Sequence, residues 1–539
     1  MKMKPPPNHP RPQKRGIALC LAFCTICAVV VGSTLLMAQQ AGPAQKAPDS
    51  EAQLKRAALL MQRGKFMDAE QILARLLRAD PKEANALNML GVIRGEQDRF
   101  EEAEKLLRRS LEINPKLIGA IVNLGYLYRR MQRPDEALAT FLRAAKIQPR
   151  DPEVLFNIAS LKTESGEFVE ALSTLEKIPK RDRSPGYPLL AARCYLGLGR
   201  IENLRSDLRE MHHQLEPFPV LLGELAQLLI NANLVDDTIA FLEGIKGPAI
   251  GSFPATFNLG EAYQIKGDLA KAAELYQLAL NVEPRSVETL KRLAVIAQKQ
   301  EKWEDMFHYL TDAKQLAPNS TSILYGFALA ALRTNHLGDA QFTIRQAMDL
   351  EPNNPQFVYF YGITQMSLSD VQPAIETFRR YVQMKPDDAM GQLGFAFALY
   401  EGAQYEEALE ALGKCRRLNP SLTEPFYYLG MIAHNQGDSA KALDYLGRVI
   451  EKEPNHAAAH TGVGMVYFKL REYQKAREEL ELAIRLNPEH SNTHYQLSQV
   501  LMRLGDTERA QRELELYSEL KNKAEEKRTA AGRLLASTP

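Results

Sequence analysis

Three sets of residues in this chain have types and spacings that could carry chemistry. His456 with His460, and His490 with His494, form pairs four residues apart. On a helix that spacing puts two imidazoles on one face, as a zinc site requires. No carboxylate or cysteine recurs beside them in the sequence as a further ligand, so the expectation is packed or turn histidines and no metal. Tyr325, Tyr359, Tyr427 and Tyr495 lie at multiples of 34 residues, with Phe397 and Tyr400 on nearby parts of the same wall. Tyrosine offers rigid apolar area plus a hydroxyl at low entropy cost, which suits contact with a peptide or a glycan. Packing of these rings against the next element is the other reading. Asn123, Asn157 and Asn258 sit in the contexts Asn-Leu-Gly, Asn-Ile-Ala and Asn-Leu-Gly, with Tyr126 following the first of them. Side-chain amides satisfy a peptide backbone's donors and acceptors without reading its sequence. A local hydrogen bond between neighbouring elements would use them equally well. The set is partial, because Met89, Arg292, Phe360 and Tyr428 stand at equivalent points.

The elements that hold these residues follow from one period. Pro81, Pro115 and Pro149, and then Pro284, Pro318, Pro352, Pro386, Pro420, Pro454 and Pro488, step by 34 residues within each series. Self-similarity at that period is the mark of stacked helical hairpins. With the proline placed at position 32, a small residue recurs at position 8 (Ala57, Gly91, Gly125, Ala159, Gly430 and Gly464 among others). Alanine recurs at position 20, as Ala69, Ala103, Ala442 and Ala476 show. Small side chains at both places let two helices cross closely. Between them lies a polar turn such as Gly166 to Phe168 or Gly267 to Leu269, where glycine takes the left-handed conformation that ends a helix. The proline ends the second helix by pushing the residue before it out of the α region.

This pattern resembles the tetratricopeptide repeat family, whose small residue at 8, alanine at 20 and proline at 32 are present in most units. The family's large aromatic at position 4 is mostly missing, though Phe426 holds that place once. The resemblance implies an all-α, right-handed α-solenoid of about fourteen helix-turn-helix units, beginning near residue 50 and ending near residue 524. Residues 50–184 form units 1–4, residues 253–524 form units 7–14, and residues 185–252 are two degenerate units, read as a joint or a change of curvature within the solenoid. There Leu204 and Thr238 replace the alanine, and Pro179, Pro185, Pro217 and Pro219 blur the register. The resemblance also implies that first helices line a concave wall, and that asparagines at position 6 form a ladder along an extended peptide. A polar segment from Gln511 to Arg528, and a tail over 525–539, are expected to cap the array.

Composition excludes more than it assigns. With 67 basic and 66 acidic residues the chain has no basic excess, which argues against a nucleic-acid partner. The densest basic cluster, Arg129, Arg130, Arg133, Arg143 and Lys146, reads as a solvated helix face. No phosphate-binding glycine loop, His-Glu-x-x-His or paired Cys-x-x-Cys is present, so neither enzyme nor cofactor is expected. Gly462 and Gly464 mimic a dinucleotide-binding glycine pair without the strand it needs.

The amino terminus carries a compartment signal. Residues 1–16 are basic, residues 17–38 are uncharged and apolar, and residues 39–49 form a short tether. This is either a cleaved export signal or a retained anchor, since about 20 apolar residues span a bilayer. Either way the repeats lie outside the cytoplasmic membrane. Cys194 and Cys415 are far apart in the array, so no disulfide joins them. The expected function is a non-catalytic periplasmic scaffold that holds a protein or peptide segment in its groove. The alternative is an envelope or polysaccharide-export assembly factor, with the aromatic wall holding a glycan.

Overall fold

Apolar residues at helical spacing on both members of each hairpin leave a face that only a neighbouring hairpin can cover. In the computed structural model, which describes residues 48–244 and 251–536, the result is 28 helices in consecutive pairs. Among the described residues there is no strand. The helices fall into two units, residues 1–267 and residues 268–539. In the first, the order is α1 (Pro48–Gln62), α2 (Phe66–Ala79), α3 (Ala84–Glu96), α4 (Phe100–Ile113), α5 (Ile118–Arg130), α6 (Pro134–Ile147), α7 (Pro152–Glu164), α8 (Phe168–Leu175), α9 (Tyr187–Gly197), α10 (Ile201–Leu215), α11 (Pro219–Asn231), α12 (Val235–Glu243) and α13 (Phe253–Lys266). In the second it is α14 (Leu269–Val282), α15 (Val287–Lys299), α16 (Trp303–Leu316), α17 (Thr321–Arg333), α18 (Leu337–Leu350), α19 (Pro355–Ser367), α20 (Val371–Met384), α21 (Ala389–Glu401), α22 (Tyr405–Leu418), α23 (Glu424–Gln436), α24 (Ser439–Lys452), α25 (Ala457–Lys469), α26 (Tyr473–Leu486), α27 (Ser491–Leu504) and α28 (Thr507–Ala536). The last helix runs unbroken through the segment expected as a cap.

The repeat positions act as their chemistry requires. Each proline of the series stands two residues past the end of a second helix, as Pro81 does after Ala79 and Pro488 after Leu486. The residue between is extended; Asp80, for example, has φ −134° and ψ 94°. Glycine at position 8 is set by a close crossing. A Cβ on Gly464 would lie 2.6 Å from Leu480 Cγ and 3.3 Å from the Ala476 carbonyl oxygen. The same contacts recur at Gly91 with Leu107 and Ala103, and at Gly430 with Leu446 and Ala442. Ala442 and Ala476 are fully buried in these crossings.

The turn between paired helices departs from the sequence-based expectation. One residue at position 15 has positive φ in every repeat, but glycine supplies it only at Gly64, Gly166, Gly199, Gly267, Gly437 and Gly505. Asp98, Gln132, Asn233, Glu301, Asn335, Ser369, Ala403 and Arg471 take the same left-handed conformation with a side chain attached. That costs an L-residue about 1–2 kcal/mol. The hairpin geometry therefore dictates this turn even where the residue resists it.

The degenerate stretch keeps the fold by the same device. Leu204 and Thr238 are fully buried where alanine is usual, and the Thr238 hydroxyl donates to the Leu234 carbonyl at 2.8 Å. Opposite them the small residue of position 8 persists as Ala192 and Ala226, both fully buried. Leu208, Leu215, Leu222, Leu225 and Leu229 join them in one core, which extends to Leu155 and Ala255.

Within each unit the first, odd-numbered helices of successive hairpins touch one another: α3 with α5, α9 with α11, and then α21 with α23 and α23 with α25. Second helices do so less often, α10 with α12 being one case. First helices therefore crowd the inner side of each unit's curve, and the residues discussed next lie on them.

Two substitutions test this geometry through the urea denaturation midpoint followed by far-ultraviolet circular dichroism. Gly464→Val should lower stability by about 1–3 kcal/mol, because Leu480 and the Ala476 carbonyl must give way. Ala403→Gly should raise it by about 0.5–1 kcal/mol, since relief of the left-handed strain exceeds the chain entropy that glycine adds.

Candidate functional site

The three asparagines are engaged within the first unit. Asn123 Nδ2 on α5 donates to Asn88 Oδ1 on α3 at 2.9 Å. Asn157 on α7, only 3% exposed, donates to the Tyr126 hydroxyl at 2.7 Å and to the Glu153 carbonyl at 2.9 Å. Its Oδ1 accepts from Arg129 at 3.1 Å. Asn258 on α13 donates to the carbonyls of Gly223 at 3.2 Å and Pro254 at 2.8 Å. Each asparagine thus ties its own helix to the preceding first helix, and both amide hydrogens of Asn157 and Asn258 are taken inside the fold.

Tyr126 and Glu153 form the centre of this polar cluster. The Tyr126 hydroxyl donates to a Glu153 carboxylate oxygen at 2.8 Å while accepting from Asn157. Burial raises the Glu153 carboxyl above the ordinary range, an effect the Tyr126 hydrogen bond opposes and the charge of Asp151 reinforces. Burial, then the Glu153 charge, raises the Tyr126 phenol. Sequence analysis did not anticipate Glu153, because nothing along the chain says that it faces Tyr126 across two hairpins.

The aromatic residues of the second unit separate into two groups. Tyr325 on α17 packs its ring 5.9 Å from that of Phe357 and 5.3 Å from Phe360, both on α19. Tyr359 packs on Phe378 at 5.7 Å and Tyr381 at 5.0 Å. These two rings fill the seam with the next elements. Tyr495 on α27 rests on Tyr517 of α28 at 5.3 Å and stays 37% exposed. Phe397 and Tyr400 on α21, with Tyr427 on α23, instead converge on Tyr428, a residue that looked from the sequence like a break in the asparagine series. Its ring lies 5.6 Å from Phe397, 5.6 Å from Tyr400 and 5.2 Å from Tyr427. All four are partly exposed. The signal that could have found this cluster is aromatics at positions 9 and 12 of one repeat followed by 5 and 6 of the next.

The histidines are held by carboxylates that the sequence reading did not connect with them. His460 Nδ1 lies 2.6 Å from Glu479 Oε2 and its Nε2 lies 3.0 Å from the Pro454 carbonyl oxygen. One repeat on, His494 makes the same pair of contacts, 2.6 Å to Glu513 and 2.9 Å to the Pro488 carbonyl. A carboxylate therefore does recur beside them, 19 residues later in each repeat, on the second helix of the hairpin. Both imidazoles are buried with both nitrogens in use. His456 Nδ1 accepts from the Ala459 amide at 3.0 Å, and His490 Nδ1 lies 2.6 Å from the Thr493 hydroxyl. Among the described residues no group of three or more histidine, cysteine, aspartate or glutamate side chains is placed to hold a metal ion.

The basic cluster is not a free patch either. Arg129 reaches Glu164 at 2.7 Å, Arg130 reaches Glu96 at 3.1 Å and Asp98 at 2.8 Å, and Arg133 reaches Glu104 at 2.9 Å and also Glu136. Arg143 donates to the Pro115 carbonyl at 2.7 Å, a helix-end contact repeated by Arg380 with Pro352. Cys194 and Cys415 are both buried and free, and burial pushes the Cys415 thiol up to about 11. The apolar run 17–38 lies outside the described residues. Among those described, no helix is long and apolar enough to cross a membrane.

The Glu153 site carries a pH prediction. Its folded carboxyl is raised, so in the window just above the ordinary carboxylate range the folded state holds the proton that the unfolded chain has lost. Stability of the first unit then falls as pH rises through that window. Glu153→Gln keeps an acceptor for Tyr126 and removes the ionisation. Hydrogen-exchange protection of α5 and α7 should therefore be higher in this variant than in the parent at pH 7, and equal at pH 4.

Comparison with known proteins agrees with this architecture. Models described as tetratricopeptide repeat match residues 54–118, 325–389 and 427–491, residues 96–155 and 472–534, and residues 254–286. Together they reach more than half of the chain. No curated protein matches. Among solved structures, the chain is similar to yeast Tom70, with 16% identity, a TM-score of 0.37, and coverage of 85% of this chain and 97% of that one. It is similar to the APC/C hetero-tetramer Cut9-Hcn1 at 12% identity and a TM-score of 0.38, covering 90% of this chain and 97% of that one. A tetratricopeptide repeat protein from Parabacteroides merdae shows 17% identity and a TM-score of 0.41 over 46% of this chain and 98% of that one. At these scores none of the three bears on function. The helix pairs, the small residues at their crossings and the breadth of the sequence matches make this chain a member of the tetratricopeptide repeat family.

Proposed function

We propose that this repeat protein is a non-catalytic scaffold that holds a segment of a partner protein against the inner helices of its second unit. The observation that carries the proposal is the cluster in which Phe397, Tyr400 and Tyr427 each pack on Tyr428, four rings that remain partly exposed on first helices. Aromatic anchors of this kind supply large contact area with few torsions to immobilise, so they suit a binding surface. The neighbouring first helix α25 adds Met465 and Phe468, both partly exposed, whose adaptable or rigid apolar surfaces extend the same wall.

The test is photocrosslinking of the full chain in cells. A benzoylphenylalanine at Phe397 should capture a protein segment, whereas the same probe at Phe342, 71% exposed on the second helix α18, should capture none. Equal capture from both sites would overturn the inner-face assignment. A glycan adduct at Phe397 would move the protein to the export-assembly alternative.

We further propose that the repeats act outside the cytoplasmic membrane, on the strength of the basic residues 1–16 followed by the uncharged run 17–38. Alkaline phosphatase fused after residue 523 should be active in a bacterial host, and a fusion lacking residues 1–38 should be inactive. Equal activity of the two would refute export.

A further inference from the structure

Several aromatic rings on the second unit are met by the chain's own cations. Phe426 has Arg416 at 4.6 Å, Arg448 at 5.7 Å and Lys452 at 5.9 Å from its centroid. Phe395 has Arg379 at 5.6 Å, and Phe327 has Lys314 at 3.6 Å. The rings of Phe397, Tyr400, Tyr427 and Tyr428 are contacted by other rings instead, Tyr427 by His456 at 5.6 Å among them. Among the described residues no lysine or arginine lies over any of them, although Tyr427 and Tyr428 are immediate neighbours of Phe426. Among the described residues the hydroxyls of Tyr427 and Tyr428 also make no hydrogen bond.

Two carboxylates act on these rings, Glu424 on Tyr428 alone and Glu401 on three of them, and Glu401 lacks a counterion among the described residues. Glu401 is the last residue of α21, where the negative end of the helix dipole disfavours an acid. It forms no ion pair or hydrogen bond among the described residues. Lys469, on the first helix α25, has its ammonium on the His434 carbonyl at 3.0 Å. Although Glu401 as a residue is exposed, its carboxyl is raised by partial loss of water. Its charge also acts on the phenols of Tyr400, Tyr427 and Tyr428; with burial first and neighbouring tyrosine next, it contributes to pushing Tyr427 up to about 12. The rings cross at 42° to 72°, so they present faces in several directions rather than one flat stack. Electron-rich ring faces beside an unpaired carboxylate form a receptor for a cation, and two aromatic contacts plus a carboxylate are matched by the side chain of arginine or lysine.

We infer that Phe397, Tyr400, Tyr427, Tyr428 and Glu401 form a subsite for an arginine or lysine side chain of the bound protein segment. This rests on the scaffold function proposed above and specifies the chemistry of the partner at one point. Charge complementarity is the reason for choosing a basic side chain over an apolar one: an apolar anchor would strip the remaining water from Glu401 and leave its charge unpaired.

The test uses the full chain, immobilised, with four pools of nonapeptides randomised except at the central residue, which is arginine, lysine, norleucine or glutamate. The arginine and lysine pools should be retained about fivefold or more over the norleucine pool. Glu401→Gln should erase that preference, and Glu401→Lys should transfer it to the glutamate pool. Tyr428→Phe should keep it, because the ring face is retained. Circular dichroism melting within a few degrees of the parent establishes that each variant is folded. Equal retention of all four pools by the parent, or a preference unchanged in Glu401→Gln, would overturn the cation subsite and leave the scaffold function standing. Failure of the parent to retain any pool would overturn both.

Discussion

The close crossing of paired helices at position 8 is the constraint on which the rest of this structure depends. At Gly91, Gly430 and Gly464 there is room for a hydrogen and not for a methyl group unless a leucine and a backbone carbonyl on the partner helix shift. Such a crossing fixes how the two helices of a hairpin lie, and therefore which face each hairpin offers to the next. First helices also touch one another more often than second helices do, so they crowd one side of each unit. Ala192 and Ala226 maintain the contact in the degenerate stretch, where the alanine of position 20 and the proline of position 32 are lost. A residue can thus be exchanged at the alanine of position 20, as Leu204 and Thr238 are, provided its opposite number stays small.

On that common frame the two units present different inner faces. In the first, polar side chains close on one another: asparagine to asparagine, tyrosine to glutamate, arginine to asparagine and glutamate. Such a network ties successive hairpins together and leaves few groups available to a ligand, since buried polar atoms must be satisfied. In the second, Tyr325, Tyr359 and the rings around Tyr428 are all partly exposed, and only the latter have an unpaired acid, Glu401, beside them among the described residues. The contrast is one of satisfaction more than of composition. Tyr126 and Tyr428 are the same residue type, yet one has its hydroxyl bonded twice and the other has none of these bonds.

The histidine repeats show where reading along a chain stops. Their four-residue spacing suggested one helix face, and the absence of an adjacent carboxylate argued for packing. The packing is there, but a carboxylate is its means: Glu479 and Glu513 come from the second helix of the same hairpin, 19 residues away. The left-handed turns teach the same lesson in reverse. Glycine marks six of them in the sequence, whereas eight others are occupied by residues such as Arg471 and Ala403 that carry no local sign of that conformation. Each is imposed by the helices on either side.

The sequence by itself determined the repeat length, the helix ends, the small residues at the crossings and hence an all-helical array, because these are local demands: proline's missing donor and fixed φ, and the size of one side chain against one neighbour. It also placed Phe397, Tyr400 and Tyr427 on first helices. Only the tertiary structure decided which of the repeated side chains are spent in the fold. Tyr325 and Tyr427 share a repeat position, and Asn123 and Tyr428 share another, yet their surroundings differ because most partners come from a neighbouring hairpin, before or after, where no periodicity constrains them. Satisfaction of a polar or aromatic group is a property of the packed neighbourhood, so the availability of Glu401 and the engagement of Asn157 could be read only there.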